Sequence, residues 1–293
     1  MEPTPEYVRL ARNCWLPAEV AGDLREQCVA VLRSSHPDAV ISSTTAAMLH
    51  RLWLPPAATA AIHVATATPG RACRAMTRTK RPEFVAHRIQ LRPEDVDVVD
   101  GVRTTSPART WRDLAPLLSL PDLVALGDSV LRHGTPFEQL AETAAHATGR
   151  GVRLLRVALP LLDARSRSRP ESHLRVAVQA TGLPRFQVNE PIFRSEGGWL
   201  AEPDLSLPQA RLALEYQGAD HAEIRRMRRD ITRERDMRLE RWQTLYFGPS
   251  EVFGHAASVG AEVYAAVRAR APELLPRRPP PAYVPRRSRR RGT

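Results

Sequence analysis

Apolar positions in the first half of the chain switch repeatedly between a period of 3.6 and a period of two. Ser43 or Thr44 can cap a helix through AAMLHRLWL, which Pro55 and Pro56 stop. Two short runs, AIHVAT and EFVAHRI, predict strands. The stretch VDVV-Asp100-Gly101-VRTT sets an Asp-Gly pair between β-branched residues, which predicts a tight hairpin because both turn positions need φ > 0. Ser106 before Pro107 supplies an N-cap and an N1 proline for the next helix. Ser119 with Pro121 opens another, closed by Gly134, and helical periodicity returns over 137–147 and 152–162. No solenoid-length repeat is visible, and nothing in this half clusters acids, histidines or cysteines for catalysis.

The polar run RSRSR at 165–169 marks a boundary, and the pattern beyond it reads helix, strands, long charged helix, strand, helix. In SRPESHLRVAVQATGLP, a helix ended by Gly182, Glu171 shares the inward face with Leu174 and Val178. Ser168 and Glu171 also have the S-x-x-E spacing of a capping box, so both roles stay open. GGWLAEPDLSL and RLALEYQG predict a hairpin turning at Pro208. Leu212, Leu214 and Tyr216 alternate with Ala213, Glu215 and Gln217, so Glu215 and Gln217 share a face, with Asp204 across from Glu215. A helix follows with Ile224, Met227 and Ile231 as its apolar stripe and eight arginines between 225 and 241. Asp220 with Glu223 fits its N-cap, which puts His221 at the helix start.

Length and charge narrow the possibilities. The 293 residues suit about two domains. A hydrophobic share of 43% fills their cores and excludes wholesale disorder. Against 32 acids stand 43 basic residues, all arginine except Lys80, for a net charge of +11 and a pI near 10.7. Guanidinium meets phosphate in a two-pronged geometry, so the excess points to nucleic acid. A GC-rich genome equally explains arginine over lysine, so this argument rests on net charge. From Arg277 the chain reads RRPPPAYVPRRSRRRGT, whose prolines forbid a packed helix. The tail reads as a disordered basic arm, either phosphate-binding or merely solvated. Cys14, Cys28 and Cys73, without a CxxC pair, predict neither a disulfide framework nor a thiolate zinc site, and fit a reducing cytosol. No run approaches the roughly 20 apolar residues of a membrane span, and MEPTPEYVRLAR lacks a signal-peptide core. The expectation is a cytoplasmic protein with no membrane partner.

An acid inside LALEY is costly to bury unless paired or bound to a cation. Two carboxylates about 4 Å apart repel by on the order of 4 kcal/mol at an effective dielectric of 20. Protonation, an arginine or a divalent cation offsets that. Oxygen ligands without thiolate favour Mg²⁺ or Mn²⁺, and such an ion beside phosphate promotes phosphodiester hydrolysis. His221 either holds a water or the scissile phosphate, or is structural. Arg225, Arg226 and Arg229 on the helix, with Arg286, Arg287 and Arg289 in the tail, are the candidate nucleic-acid contacts; solvated surface is the alternative.

The order Glu171 … Pro203-Asp204 … Glu215-Tyr216-Gln217-Gly218 … His221 … Arg229-Asp230 … Trp242 resembles the very-short-patch-repair-like endonuclease domain. That domain belongs to the PD-(D/E)xK, or restriction-endonuclease-like, superfamily, whose actinobacterial members carry EY[DQ]G-x-x-H after the motif aspartate. The stretch from about 30 to 162 is similar to the part that commonly precedes it, which resembles type IV antitoxins of the abortive-infection class. The carriers are VISSTTAAMLHRLWLP, VDGVRTTSPARTWRDLA and LPDLVALGDSVLRHG.

The resemblance implies an α/β (α+β) protein in four parts. Residues 1–20 would be an N-terminal arm or the remnant of a winged helix, keeping at most its final strand (RNCWLPAEV). Residues 21–163 would be the antitoxin-like domain, 166–272 the nuclease domain with a mixed sheet flanked by helices, and 273–293 the basic tail. Asp204, Glu215 and Glu171 would hold Mg²⁺ or Mn²⁺, and Gln217 and His221 would complete the catalytic set. Gln217 stands in the place of the superfamily lysine, and it orients a water without donating positive charge. Lys80 lies outside the domain, and Tyr246-Phe247 stands where relatives often show an arginine. The implied activity is DNA endonuclease, a hydrolase in a toxin–antitoxin, repair or defence setting, with DNA and a cognate toxin as partners. The alternative is a catalytically inactive, nucleic-acid-binding regulator of the antitoxin type.

Overall fold

The computed structural model describes residues 6–11, 14–56, 61–67, 84–218 and 224–277. The chain divides into two compact units, one from Met1–Leu118 and His133–Leu159, the other from Ser119–Arg132 and Pro160–Thr293. Each is mixed α and β and is built on a mixed sheet. Cys73, Lys80, His221 and the tail arginines 286, 287 and 289 lie outside the described residues.

In the first unit, β1 (Tyr7–Ala11) and β2 (Cys14–Pro17) form an antiparallel ladder before α1 (Leu24–Arg33), whose N-cap Asp23 accepts from Glu26 N at 3.0 Å. The five-stranded sheet runs β5 (Phe84–Arg88), β4 (Ile62–Thr66), β3 (Val40–Ile41), β7 (Val102–Thr105), β6 (Val96–Val99). The β6–β7 turn places Asp100 at φ +48° and Gly101 at φ +78°, the left-handed pair such a turn requires. Helix α2 (Ser43–Leu49) departs from expectation. Ser42 is its N-cap, and it ends at Leu49, where Arg51 at φ +56° turns the chain well before the prolines. Ser106 caps α3 (Pro107–Leu114), its Oγ accepting from Arg109 N. The Arg109 guanidinium, 5% exposed, bridges Asp95 and Asp113 at 2.9 Å each. Next come α4 (Leu120–Arg132), α5 (Phe137–His146) and α6 (Val152–Ala158), of which α5 and α6 belong to this unit. Cys14 and Cys28 are free and sit in its core with Val31, Ile41 and Val64; burial pushes the Cys28 thiol up to about 12.

Helix α4 groups with the second unit, a division other than the expected 21–163 and 166–272. The reason is a buried polar joint with α7 (Arg169–Gln179). Asp128 is fully buried and accepts from Asp163 N (2.7 Å) and Ser172 Oγ (2.6 Å), and it pairs with the Arg175 guanidinium. Burial pushes the Asp128 carboxyl up to about 6, while Arg175 pulls it back. Nearly two turns earlier on α4, Asp122 meets Arg169 (2.7 Å) and His173 (3.0 Å). Burial alone would raise Asp122; the bonds from His173, Ser119 and Arg169 hold it well below the usual carboxylate range. A charge left buried without these partners would be strongly destabilising, so α4 and α7 are bound to one another.

The second unit's main sheet has the order β13 (Gln243–Phe247), β12 (Leu212–Tyr216), β11 (Leu205–Leu207), β8 (Gln187–Val188). Strands β8, β11 and β12 are antiparallel in turn, and β13 lies parallel to β12. The segment GGWLAEPDLSL, expected as one arm, is split: β10 (Trp199–Ala201) pairs with β9 (Ile192–Phe193) in a separate two-stranded ladder. Pro203 has no N–H to give a ladder, and β11 starts two residues later. One sheet face (Leu205, Leu207, Leu212, Leu214) packs with Leu174 and Val178 of α7 and Val259, Val263 and Val267 of α10 (Ala256–Arg270), which follows α9 (Pro249–Gly254). On the other face Ala213 packs with Ile192, Leu200, Trp242 and Met237 of α8 (Ile224–Leu239). The arginine-rich helix therefore covers the face that carries the odd-numbered residues of β12. Among the described residues no helix is long and apolar enough to cross a membrane.

Candidate active site

Strands β11 and β12 pair Leu205 with Leu214, Ser206 with Ala213 and Leu207 with Leu212. Asp204 directly precedes β11 and Glu215 follows Leu214 on β12, so the two acids lie at the same end of the paired strands. Asp204 Oδ2 accepts the Tyr216 backbone N–H at 2.7 Å. Burial pushes the Asp204 carboxyl up to about 6, and the nearby charge of Glu171 adds to the rise; the Tyr216 N–H, Arg233 and Arg167 oppose it. Glu215, 16% exposed, has its Oε1 3.1 Å from Nη2 of Arg233, which reaches it from α8. Tyr246 lies beside Glu215 across the parallel ladder to β13, and burial raises its hydroxyl. Gln217 continues β12 past its end, giving its backbone N–H to Phe247 O at 2.9 Å, and its side chain is exposed.

Glu171 is buried and fully engaged. Its Oε1 accepts from Ser168 Oγ (2.8 Å), and Oε2 accepts from Arg167 N (2.7 Å) and Asn189 Nδ2 (2.8 Å). The capping role is therefore real, since Ser168 Oγ in turn receives the Glu171 N–H. Asn189 links this cap to the neighbouring strand, because its backbone N–H donates to Asp204 O at 3.1 Å. It does so at φ +48°, a conformation asparagine tolerates better than most residues. Sequence reasoning passed over Asn189, although an Asn before Glu-Pro in QVNEP is a turn signal. It also left Arg233 and Arg167 out of the site, for want of any local signal that singles them out among the arginines.

The donor set tests the implied cation. Among the described residues no group of three or more His, Cys, Asp or Glu side chains is placed to hold a metal ion, so the expected Glu171, Asp204 and Glu215 triad is not assembled. Glu171 has given its oxygens to three donors. Asp204 and Glu215 remain, two hard carboxylates at the same end of the paired strands. Burial, with the charge of Glu171, raises the Asp204 carboxyl above the ordinary range despite Arg233 and Arg167. Mg²⁺ is commonly held by one or two carboxylates with water and phosphate completing its shell, so this pair fits such an ion and Glu171 does not. Arg233 provides the counter-charge to Glu215. Arg225, Arg226 and Arg229 fall on α8, the helix over this face, and their side chains lie outside the described residues.

No protein-family model, no curated protein and no solved structure matches the chain. What the site offers rests on its own residues: a carboxylate raised by burial, a second one on the neighbouring strand, an amide at the strand end and a guanidinium from the covering helix.

Proposed function

We propose that this chain is a cytoplasmic, metal-dependent DNA endonuclease of the restriction-endonuclease-like superfamily, fused to an antitoxin-like unit. The order α7, β8, β11, β12, α8, β13, with three antiparallel strands and a parallel fourth, supports that fold. The reading is carried by one observation: Asp204 and Glu215 stand on neighbouring strands under an arginine-rich helix, with the Asp204 carboxyl raised by burial and by the charge of Glu171. Asp204 and Glu215 would hold Mg²⁺ or Mn²⁺. A bound ion would supply a more acidic water and stabilise the charge that develops on phosphate. Gln217 orients water through its amide. Glu171 positions Asp204 indirectly, through Asn189. The first unit, with a cognate toxin as partner, would place the activity in a toxin–antitoxin, repair or defence role.

The Arg233–Glu215 pair and the glutamine in the lysine position favour a second reading, a catalytically silent nucleic-acid-binding regulator of the antitoxin type. Incubating the full chain with single- and double-stranded DNA, with Mg²⁺, Mn²⁺ or EDTA, separates the two. Metal-dependent cleavage that Asp204→Asn abolishes is the result expected of the nuclease. Binding without cleavage, unchanged by Asp204→Asn, would establish the regulator instead.

A further inference from the structure

The end of the second unit's sheet farthest from the carboxylates holds a cleft of about 600 Å³. Its lining includes Arg211, Arg238, Arg241, Arg270, Gln209 and Trp242, and no acid. Leu212 begins β12 at this end and Glu215 lies three residues on, so roughly 10 Å of strand separates the cleft from the candidate active site. Two of the guanidiniums are fixed by backbone. Arg211 Nη1 donates to Glu240 O at 2.6 Å; Arg270 Nε donates to Ala210 O at 2.7 Å and its Nη2 to Arg241 O at 2.5 Å. They cap carbonyls just past the C-terminus of α8 and in the turn before β12, and retain unused N–H groups, since a guanidinium has five.

The acids nearest in sequence are spent elsewhere. Glu240 accepts from Ser195 N and Oγ, and Asp236 pairs with Arg194. Glu234 pairs with Arg238, one turn back along the helix, and is the acid that neutralises part of the cleft. Arg241 has no acidic partner among the described residues. Four like charges thus converge on an open concavity with one opposing charge between them. Guanidiniums held by backbone bonds lose little freedom on meeting an anion, and their planar forks match phosphate oxygens.

We infer that this cleft is a phosphate-binding site for a nucleic-acid backbone, an anchor set apart from the reacting carboxylates. The inference rests on the nucleic-acid reading of the chain but not on catalysis. Arg211 and Arg270 hold the fold, so the test uses Arg238→Gln, Arg241→Gln and the double variant of the full chain. Affinity for a fluorescent duplex is measured in EDTA across a salt series, with melting curves confirming that each variant folds. Each lost contact lowers the log–log salt slope by about 0.9, so the double variant falls by about two, and the Arg→Lys versions keep most of the slope. An unchanged slope in the folded double variant overturns the anchor. Reduced slopes without any metal-dependent cleavage by the parent chain leave the anchor standing while the nuclease reading fails. Cleavage with unchanged slopes removes the anchor and leaves the nuclease reading in place.

Discussion

Replacing Asp204 with asparagine should stabilise the second unit in metal-free solution. The folded chain raises this carboxyl from an ordinary value of 3.8 to about 6. At 1.36 kcal/mol per pKa unit that corresponds to about 3 kcal/mol at neutral pH, and residual hydration of the carboxylate leaves about 1–3 kcal/mol. Between pH 4 and 6 the folded chain keeps a proton that the unfolded chain releases. Stability therefore falls as pH rises through that window, and the penalty is complete above it. Asparagine is neutral at every pH and still offers an oxygen to the Tyr216 N–H. Asp204→Asn is thus expected to gain about 1–3 kcal/mol at pH 7.5 in EDTA and close to nothing at pH 4. A urea series with pulsed hydrogen exchange, read by mass spectrometry on peptides spanning 199–216, isolates the second unit from the first. Equal or lower stability at pH 7.5, or a gain that persists at pH 4, would falsify the claim that this carboxylate is strained. Added Mn²⁺ should stabilise the parent chain and leave Asp204→Asn unmoved.

Arg175→Met should cost about 3–5 kcal/mol in the same unit, because it strands a fully buried Asp128 without its guanidinium; hydrogen exchange across 120–132 and 169–179 reads it. The loss should shrink towards pH 5, where Asp128, already raised by burial, takes up a proton. Gly151→Ala should cost about 1–3 kcal/mol in the first unit, since Gly151 sits at φ +82° and a Cβ would lie 2.6 Å from Pro116 N; a chemical denaturation midpoint unchanged from the parent contradicts this. Glu171→Ala should lower stability by about 1–2 kcal/mol, because Arg167 N, Ser168 Oγ and Asn189 Nδ2 lose their acceptor. It should leave Mn²⁺ affinity, followed by electron paramagnetic resonance, within a few-fold, whereas a Glu171 that ligates would lose binding outright.

Much of the site was legible because its signals are local. Alternation in LALEY predicts Glu215 and Gln217 on one face, and the short return through Pro208 predicts Asp204 next to that strand, where its carboxylate accepts the Tyr216 N–H. The Asp-Gly hairpin and the Ser106-Pro107 and Ser168 helix starts were equally readable, since each involves backbone groups a few residues apart. Glu171 had two readable roles, and only its partners decided between them: Asn189, 18 positions away, takes the second lobe of its carboxylate.

What pattern and composition determined by themselves was a mixed α and β chain, its main turns and caps, and a basic balance. Tertiary structure alone decided which unit owns α4, because Asp128 and Arg175 stand 47 residues apart and nothing local couples them. It alone chose Arg233, out of eight arginines on or beside one helix, as the counter-charge to Glu215, since that depends on how the helix is rotated over the sheet. The four-arginine cleft is of the same kind. Its members come from a strand turn, a helix end and the last long helix, and only the packing of those elements brings their charges together.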